Sequence, residues 1–187
     1  DAHVKWLYPS EFKHLCCCKI TSNDIADALA DSGTKPDAIY ITSPDYLGNI
    51  TDIRSISAIC EKNNTLLLVD NAHGAYLNFL EKPCHPIHLG ADVCADSAHK
   101  SLPVLTGGAY LHFSRKCPQS YMSCVLNMLR VYASTSPSYL TLQSLDRCNK
   151  YIEDNYHRKL KDNVNVINNT KQAIKSLGFD VAATDSF

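Results

Sequence analysis

In "TLLLVDNAHG", residues 65–74, four apolar side chains follow one another before the chain reaches Asp70. A strand with one face in water alternates apolar and polar residues, whereas a strand buried on both faces reads as an unbroken apolar run. "AIYITSP" (38–44) and "ADVCADSAHK" (91–100) repeat that pattern, and helical periods separate the three. "TSNDIADALADSG" carries a capping box from Thr21 to Asp24, apolar Ile25, Ala28 and Leu29 at helical spacing, and Gly33 as the stop. "TDIRSISAICEKNN" puts Ile53, Ile56 and Cys60 on one face and closes at Asn63 and Asn64. Strands alternating with helices in this way predict an α/β fold of three layers, α/β/α, around a mostly parallel sheet covered on both faces. Short strands are also expected at Val4–Leu7 and in "AYLHFS" (109–114).

The second half reads as helix. One is expected over Gln119–Val131, followed by a proline-serine turn, "STSPSY". From Thr141 to Ser176 the apolar positions Leu142, Leu145, Cys148, Ile152, Tyr156, Leu160, Val164 and Ile167 step by three or four residues. So long a helix predicts a connector. The chain therefore divides into a main domain over residues 1–140 and, over residues 141–187, a connecting helix and the start of a further unit in "LGFDVAATDSF".

A chain of 187 residues suffices for one domain with a core of its own. Its net charge of -1 and 20% charged residues leave no basic surplus of the kind nucleic acid or a membrane surface attracts. No apolar run approaches the roughly 20 residues of a membrane helix, so a soluble cytoplasmic protein is expected. The nine cysteines are odd in number and form no CxxC pair, and they read as small buried hydrophobes in a reducing compartment. The run Cys16-Cys17-Cys18 suggests no role. Cys84, His85, His88 and Cys94 invite a zinc reading, but their spacing matches none of the common ligand patterns, so no metal is expected. Asp1 stands where an initiator methionine would, which leads us to expect a piece of a longer protein.

In open parallel α/β sheets ligands lie beyond the carboxyl ends of the strands. Asp70 closes "LLLVD" there, and Lys100 lies just past "VCADSAH". Taken singly, the aspartate reads equally as a cap or an ion-pair partner, and the lysine as a strand-end cation reaching water. Together they suit pyridoxal phosphate, which needs a lysine at its aldehyde and a carboxylate to keep its ring nitrogen protonated.

Four ordered blocks, "ITSPDYLGNITDI", "LLLVDNAHGAYL", "GADVCADSAHKSLPVLTGGAYLH" and "STSPSYLTLQSLD", resemble the major domain of the Orn/Lys/Arg decarboxylases, pyridoxal-phosphate enzymes of aspartate-aminotransferase fold (fold type I). The resemblance runs from about Val4 to Tyr151 and makes residues 1–140 the central part of the cofactor-binding major domain. It implies that Lys100 joins the cofactor's aldehyde, that Asp70 pairs with the pyridine nitrogen, that Ala72 lies against the ring, and that Ser97 and His99 lie near the phosphate and the reacting carbon. His73 is either a cofactor contact or a packing histidine. Thr42 and Ser43 either touch the cofactor or cap the following turn. The "TSPSY" loop implies a homodimer or higher homo-oligomer in which Thr135 and Ser136 reach a neighbouring subunit's phosphate, the alternative being a local hydroxyl turn. The implied reaction is decarboxylation of lysine, ornithine or arginine to the amine, with the proton returned by Lys100 or His99. Aminotransfer or side-chain lysis would use the same Asp70 and Lys100, and a non-catalytic partner of full-length subunits is a third expectation. Compared with the family pattern, the first two strands, the phosphate-binding loop and a ring-stacking histidine are not in the sequence. Asn71 and the pair Gly107-Gly108 are smaller departures.

Overall fold

The structure, a computed structural model, describes residues 3–9, 19–31, 33, 35–179 and 181. It is an α/β fold with one four-stranded sheet in the order β1-β2-β3-β4: Ala38–Thr42, Leu66–Asp70, Val93–Asp96 and Tyr110–Phe113. The first three strands are parallel and β4 runs antiparallel to β3. The apolar runs thus form the mostly parallel sheet their composition predicts.

Helices α1 (Ser22–Ala30) and α2 (Ile53–Lys62) and the short α3 (Pro86–Leu89) cover one face. Thr21 and Asp24 close the expected capping box, with the Thr21 N–H donating to Asp24 Oδ2 at 2.7 Å and the Asp24 N–H to Thr21 Oγ1 at 3.2 Å. Ile25, Ile53, Ile56 and Cys60 from the helices meet Leu67, Val69 and Cys94 from the sheet in one buried core. Each large aliphatic chain there stabilises the fold by about 1.5–3 kcal/mol through burial.

The strand register carries the alternation that the apolar runs conceal. Tyr40, Leu68 and Val93 share the second face, as do Thr42, Asp70 and Ala95 one step further along. Among the described residues this face is half open: Tyr40 is 67% exposed and Leu111 on β4 is 42% exposed.

Beyond the sheet come α4 (Ala98–Ser101), α5 (Gln119–Tyr132), α6 (Tyr139–Tyr151), one π-helical turn (Ile152–Tyr156) and α7 (His157–Ser176). The expected long helix is therefore continuous, and its middle is docked on the sheet domain. Cys148 is buried with Ala75, Ala98 and Leu102. The Tyr110 hydroxyl donates to Asn149 Oδ1 at 2.9 Å, the Tyr156 hydroxyl to the Ser101 carbonyl at 3.2 Å, and Lys161 pairs with Glu81 at 2.8 Å.

The strand expected at Val4–Leu7 does not form. Residues 3–9 carry no ladder bonds, and Val4 and Trp6 are 65% and 72% exposed while Leu7 packs on the core edge. Among the described residues the outer edge of β1 is free at the end of the sheet, but residues 3–9 do not pair with it, and a β-rich composition alone does not supply that pairing. Cys16–Cys18, and all but Leu177–Phe179 and Val181 of "LGFDVAATDSF", lie outside the described residues.

Candidate active site

Asp70 is the last residue of β2 and points to the open face of the sheet. Its Oδ1 accepts the Ala72 N–H at 3.0 Å and its Oδ2 the Tyr40 hydroxyl at 3.1 Å. Partial desolvation, then the nearby negative charge, hold the Tyr40 phenol above its ordinary value. With one donor on each oxygen, the carboxylate keeps lone pairs for a further donor. The Asn71 N–H donates to the Ala95 carbonyl and the Gly74 N–H to the Asn71 carbonyl, so the chain turns back tightly after β2. Gly74 is obligatory in that turn, because a Cβ there would lie 2.0 Å from Asn71 Oδ1 and 2.7 Å from Pro44.

Ala95 of β3 is in register with Asp70, and α4 begins three residues later with Ser97 at its N-cap. Lys100 therefore sits on the neighbouring strand's exit at the same carboxyl edge. Its backbone N–H donates to the Ser97 carbonyl and its side chain is exposed. Ser97 is half-buried, and its hydroxyl makes no cap bond. His99 is held twice by one acceptor: its backbone N–H and its Nδ1 lie 3.2 and 3.0 Å from the Gly108 carbonyl. That second bond puts the ring proton on Nδ1 and leaves Nε2 as the free basic nitrogen. Gly108 can be only glycine here, since a Cβ would come within 2.3 Å of Val104 Cγ1.

The remaining residues fall into three pairs. Ala72 and His73 flank Asp70 in the turn, with the His73 ring 5.5 Å from that of Tyr46. Thr42 is exposed beside Asp70 in the register, whereas Ser43 is buried, with its N–H on the Asp70 carbonyl and its Oγ accepting the Thr51 N–H at 3.0 Å. The Ser43 hydroxyl thus makes the turn-capping bond. Thr135 and Ser136 lie in the exposed turn between α5 and α6, where the Ser136 N–H donates to Ser134 Oγ at 3.0 Å.

Tyr40 escaped the sequence reading. Its place in an apolar run gave no sign that register would bring its hydroxyl to Asp70, 30 residues away.

Asp70, Lys100, His99 and Ser97 suit pyridoxal phosphate as residues: a carboxylate with open lone pairs, an exposed primary amine, a free imidazole nitrogen and an unengaged hydroxyl converge on one sheet edge.

The sequence profile of "Orn/Lys/Arg decarboxylase, major domain" matches residues 10–185. The chain is 36% identical over 146 residues to "Uncharacterized protein YaaO" of Bacillus subtilis (strain 168), covering 76% of this chain and 30% of that protein. It is 29% identical over 146 residues to an arginine decarboxylase of the same organism, covering 76% of this chain and 29% of the relative. The chain thus spans about 30% of the length of these curated relatives. Among solved structures, Sphingomonas wittichii serine palmitoyltransferase matches with a TM-score of 0.64 at 14% identity, over 88% of this chain and 42% of that one. The SepCysS–SepCysE N-terminal domain complex matches with a TM-score of 0.65 at 16% identity, over 92% and 47%. These two likenesses speak for the fold, that of the pyridoxal-phosphate-dependent transferases, and the match over residues 10–185 speaks for the lineage: the chain belongs to the Orn/Lys/Arg decarboxylase family and carries sequence of its major domain.

Proposed function

We propose that the protein containing this chain decarboxylates a basic amino acid with pyridoxal phosphate, releasing carbon dioxide and the corresponding amine. What carries the reading is the placement of Asp70 and Lys100 on adjacent strand ends at the open carboxyl edge, within a family match that covers most of the chain. Bound there, the cofactor would supply a protonated ring that draws in the electron pair left on the α carbon when carbon dioxide departs.

The residues then divide the work. Asp70 holds the proton on the ring nitrogen, and the bonds from Ala72 and Tyr40 fix its orientation. Lys100 would hold the cofactor at its aldehyde, and its Nζ would be one carrier of the proton that returns to the α carbon. His99 is the second proton carrier, through the Nε2 that its Gly108 bond leaves open. Ser97, whose hydroxyl makes no cap bond, would serve the phosphate, and Ala72 would lie against the ring.

A homodimer in the cytoplasm accords with two further observations. Among the described residues no helix is long and apolar enough to cross a membrane. Helix α5 buries none of its residues and exposes Met122 at 41%, Leu126 at 69% and Leu129 at 43% on one side, an apolar face of the kind that protein partners cover. Residues 1–140 would then be the central part of the major domain, and residues 141–187 the long connecting helix and the start of a C-terminal domain.

The test is release of labelled carbon dioxide from carboxyl-labelled arginine, the substrate in the relatives' names, with lysine and ornithine in parallel. Borohydride reduction of the loaded protein should fix the cofactor on the peptide Ala98-His99-Lys100. Formation of an oxo acid without carbon dioxide would mean aminotransfer. Label on Lys82 or Lys116, or on no lysine, would overturn the site.

A further inference from the structure

Opposite Asp70, on the helix-covered side of the sheet, three side chains from three elements converge. Asp96 ends β3, His112 lies on β4, and His85 is the N-cap of α3. His85 Nε2 is 3.0 Å and His112 Nε2 also 3.0 Å from Asp96 Oδ2, and the candidate ligand atoms all lie within 4.8 Å of one another. His85 and Asp96 are buried, and the His112 side chain is 39% exposed. The three line a cavity of about 300 Å³ together with Asn78, Tyr110 and Asn149.

We propose that His85, Asp96 and His112 form a zinc-binding site whose fourth coordination position opens into this cavity. Two imidazoles and one carboxylate are a donor set of open tetrahedral zinc sites. Ligand atoms at about 2.0–2.1 Å from a tetrahedral ion stand about 3.3 Å apart, so the observed 3.0 Å spacings need only a small outward movement to admit one. The rings of His85 and His112 meet edge-on, with centroids 5.1 Å apart at 80°, which brings two nitrogens to one carboxylate oxygen without stacking the rings. Behind the carboxylate, Asn71 Nδ2 donates to Asp96 Oδ1 at 2.7 Å, the kind of outer support that holds a metal-ligating carboxylate in place.

The neighbouring groups define the donor set by exclusion. Cys94 Sγ is 3.9 Å from His85 Nε2, but it does not join the three groups whose ligand atoms all lie within 4.8 Å of one another. His88 turns its Nε2 to Asn78 Oδ1 at 2.7 Å. The ion's competitor is the hydrogen-bonded knot itself. His85 Nδ1 accepts the Ile87 N–H at 3.3 Å, which places the ring proton on Nε2 facing Asp96. Loading moves that proton to Nδ1 and gives up the long cap bond, while His112 likewise frees its Nε2. Affinity should therefore fall as protons compete for the two rings.

The experiment uses purified protein stripped with a chelator. It is titrated with zinc against a chromophoric chelator, and separately with cobalt followed by visible absorption, with and without pyridoxal phosphate. Because the ion is read directly, the result stands apart from the decarboxylase reading. One bound equivalent is expected, tighter at pH 7.5 than at pH 5.5. His112→Gln, at a half-exposed position, and His85→Gln should each weaken binding at least about 100-fold, while Cys94→Ser binds as the wild type does. If His85→Gln fails to fold, His112→Gln decides. Binding well below one equivalent, or equal affinity in wild type and His112→Gln, would overturn the site and leave the three residues as a hydrogen-bonded knot.

Discussion

Asp70 and Asp96 end neighbouring strands and face opposite sides of the sheet, and their surroundings differ accordingly. Asp70 keeps acceptor capacity on the open face. Asp70→Asn keeps the shape and withdraws the charge, so turnover should drop by at least about 10²-fold, the usual loss for one preorganised electrostatic group, while absorbance still reports bound cofactor. Activity within about threefold of wild type would make Asp70 a cap only. Asp96 is enclosed. Burial alone would raise its pKa, but hydrogen bonds from His112 and His85, attraction to His85 and the bond from Asn71 outweigh that and hold it well below the usual range. A depressed folded value means that the stabilisation is complete above the unfolded carboxylate value of about 3.9 and is lost as pH falls below it. Urea unfolding should therefore show stability declining below about pH 4, and Asp96→Asn should start lower and flatten that decline. An unchanged acid limb in Asp96→Asn would contradict this account.

At the scale of elements, the site depends on two turns whose glycines are set by close approach. The loop from Leu102 to Gly108 leaves no room for a Cβ at Gly108, where Val104 Cγ1 is 2.3 Å away and Leu105 O 3.2 Å. The same residue's carbonyl anchors His99. Gly108→Ala should cost about 1–3 kcal/mol of stability by urea unfolding, as overpacking does, and should lower activity through His99. Wild-type stability and activity together would show that the loop yields freely. The long helix gains its place in the same way: Cys148 fills the pocket formed by Ala75, Ala98 and Leu102, while bonds at Ser144 and Tyr156 clamp it to the loop and to α4.

Across the whole molecule, burial is uneven. One sheet face is sealed by α1, α2 and α3, the other is half open, and α5 presents an uncovered apolar side. If α5 meets a second copy, as proposed, Leu126→Glu should shift the protein from dimer to monomer in sedimentation without loss of helical signal. A charge buried in a subunit interface costs far more than one in water. A dimer unchanged by this substitution, and by Leu129→Glu, would place the interface elsewhere.

Local rules were enough for much of this architecture. The Thr21–Asp24 box closes within one helical turn, and the Ile53, Ile56 and Cys60 stripe and the apolar runs at 38–42, 66–70 and 93–96 carry their element type in local spacing and composition, so their elements could be read directly. Asp70 and Lys100 were legible for a related reason: strand-end polar residues after apolar runs stand out against their neighbours. Pairing between distant segments was not legible. Val4–Leu7 read as a strand and paired with none; Tyr40 reached Asp70 only through the β1–β2 register; and His85, Asp96 and His112 met only because β4 runs antiparallel to β3 and puts His112 opposite Cys94. Register and crossover direction are decided by the packed whole, because shifting a strand by one residue exchanges its two faces and no local signal prevents that.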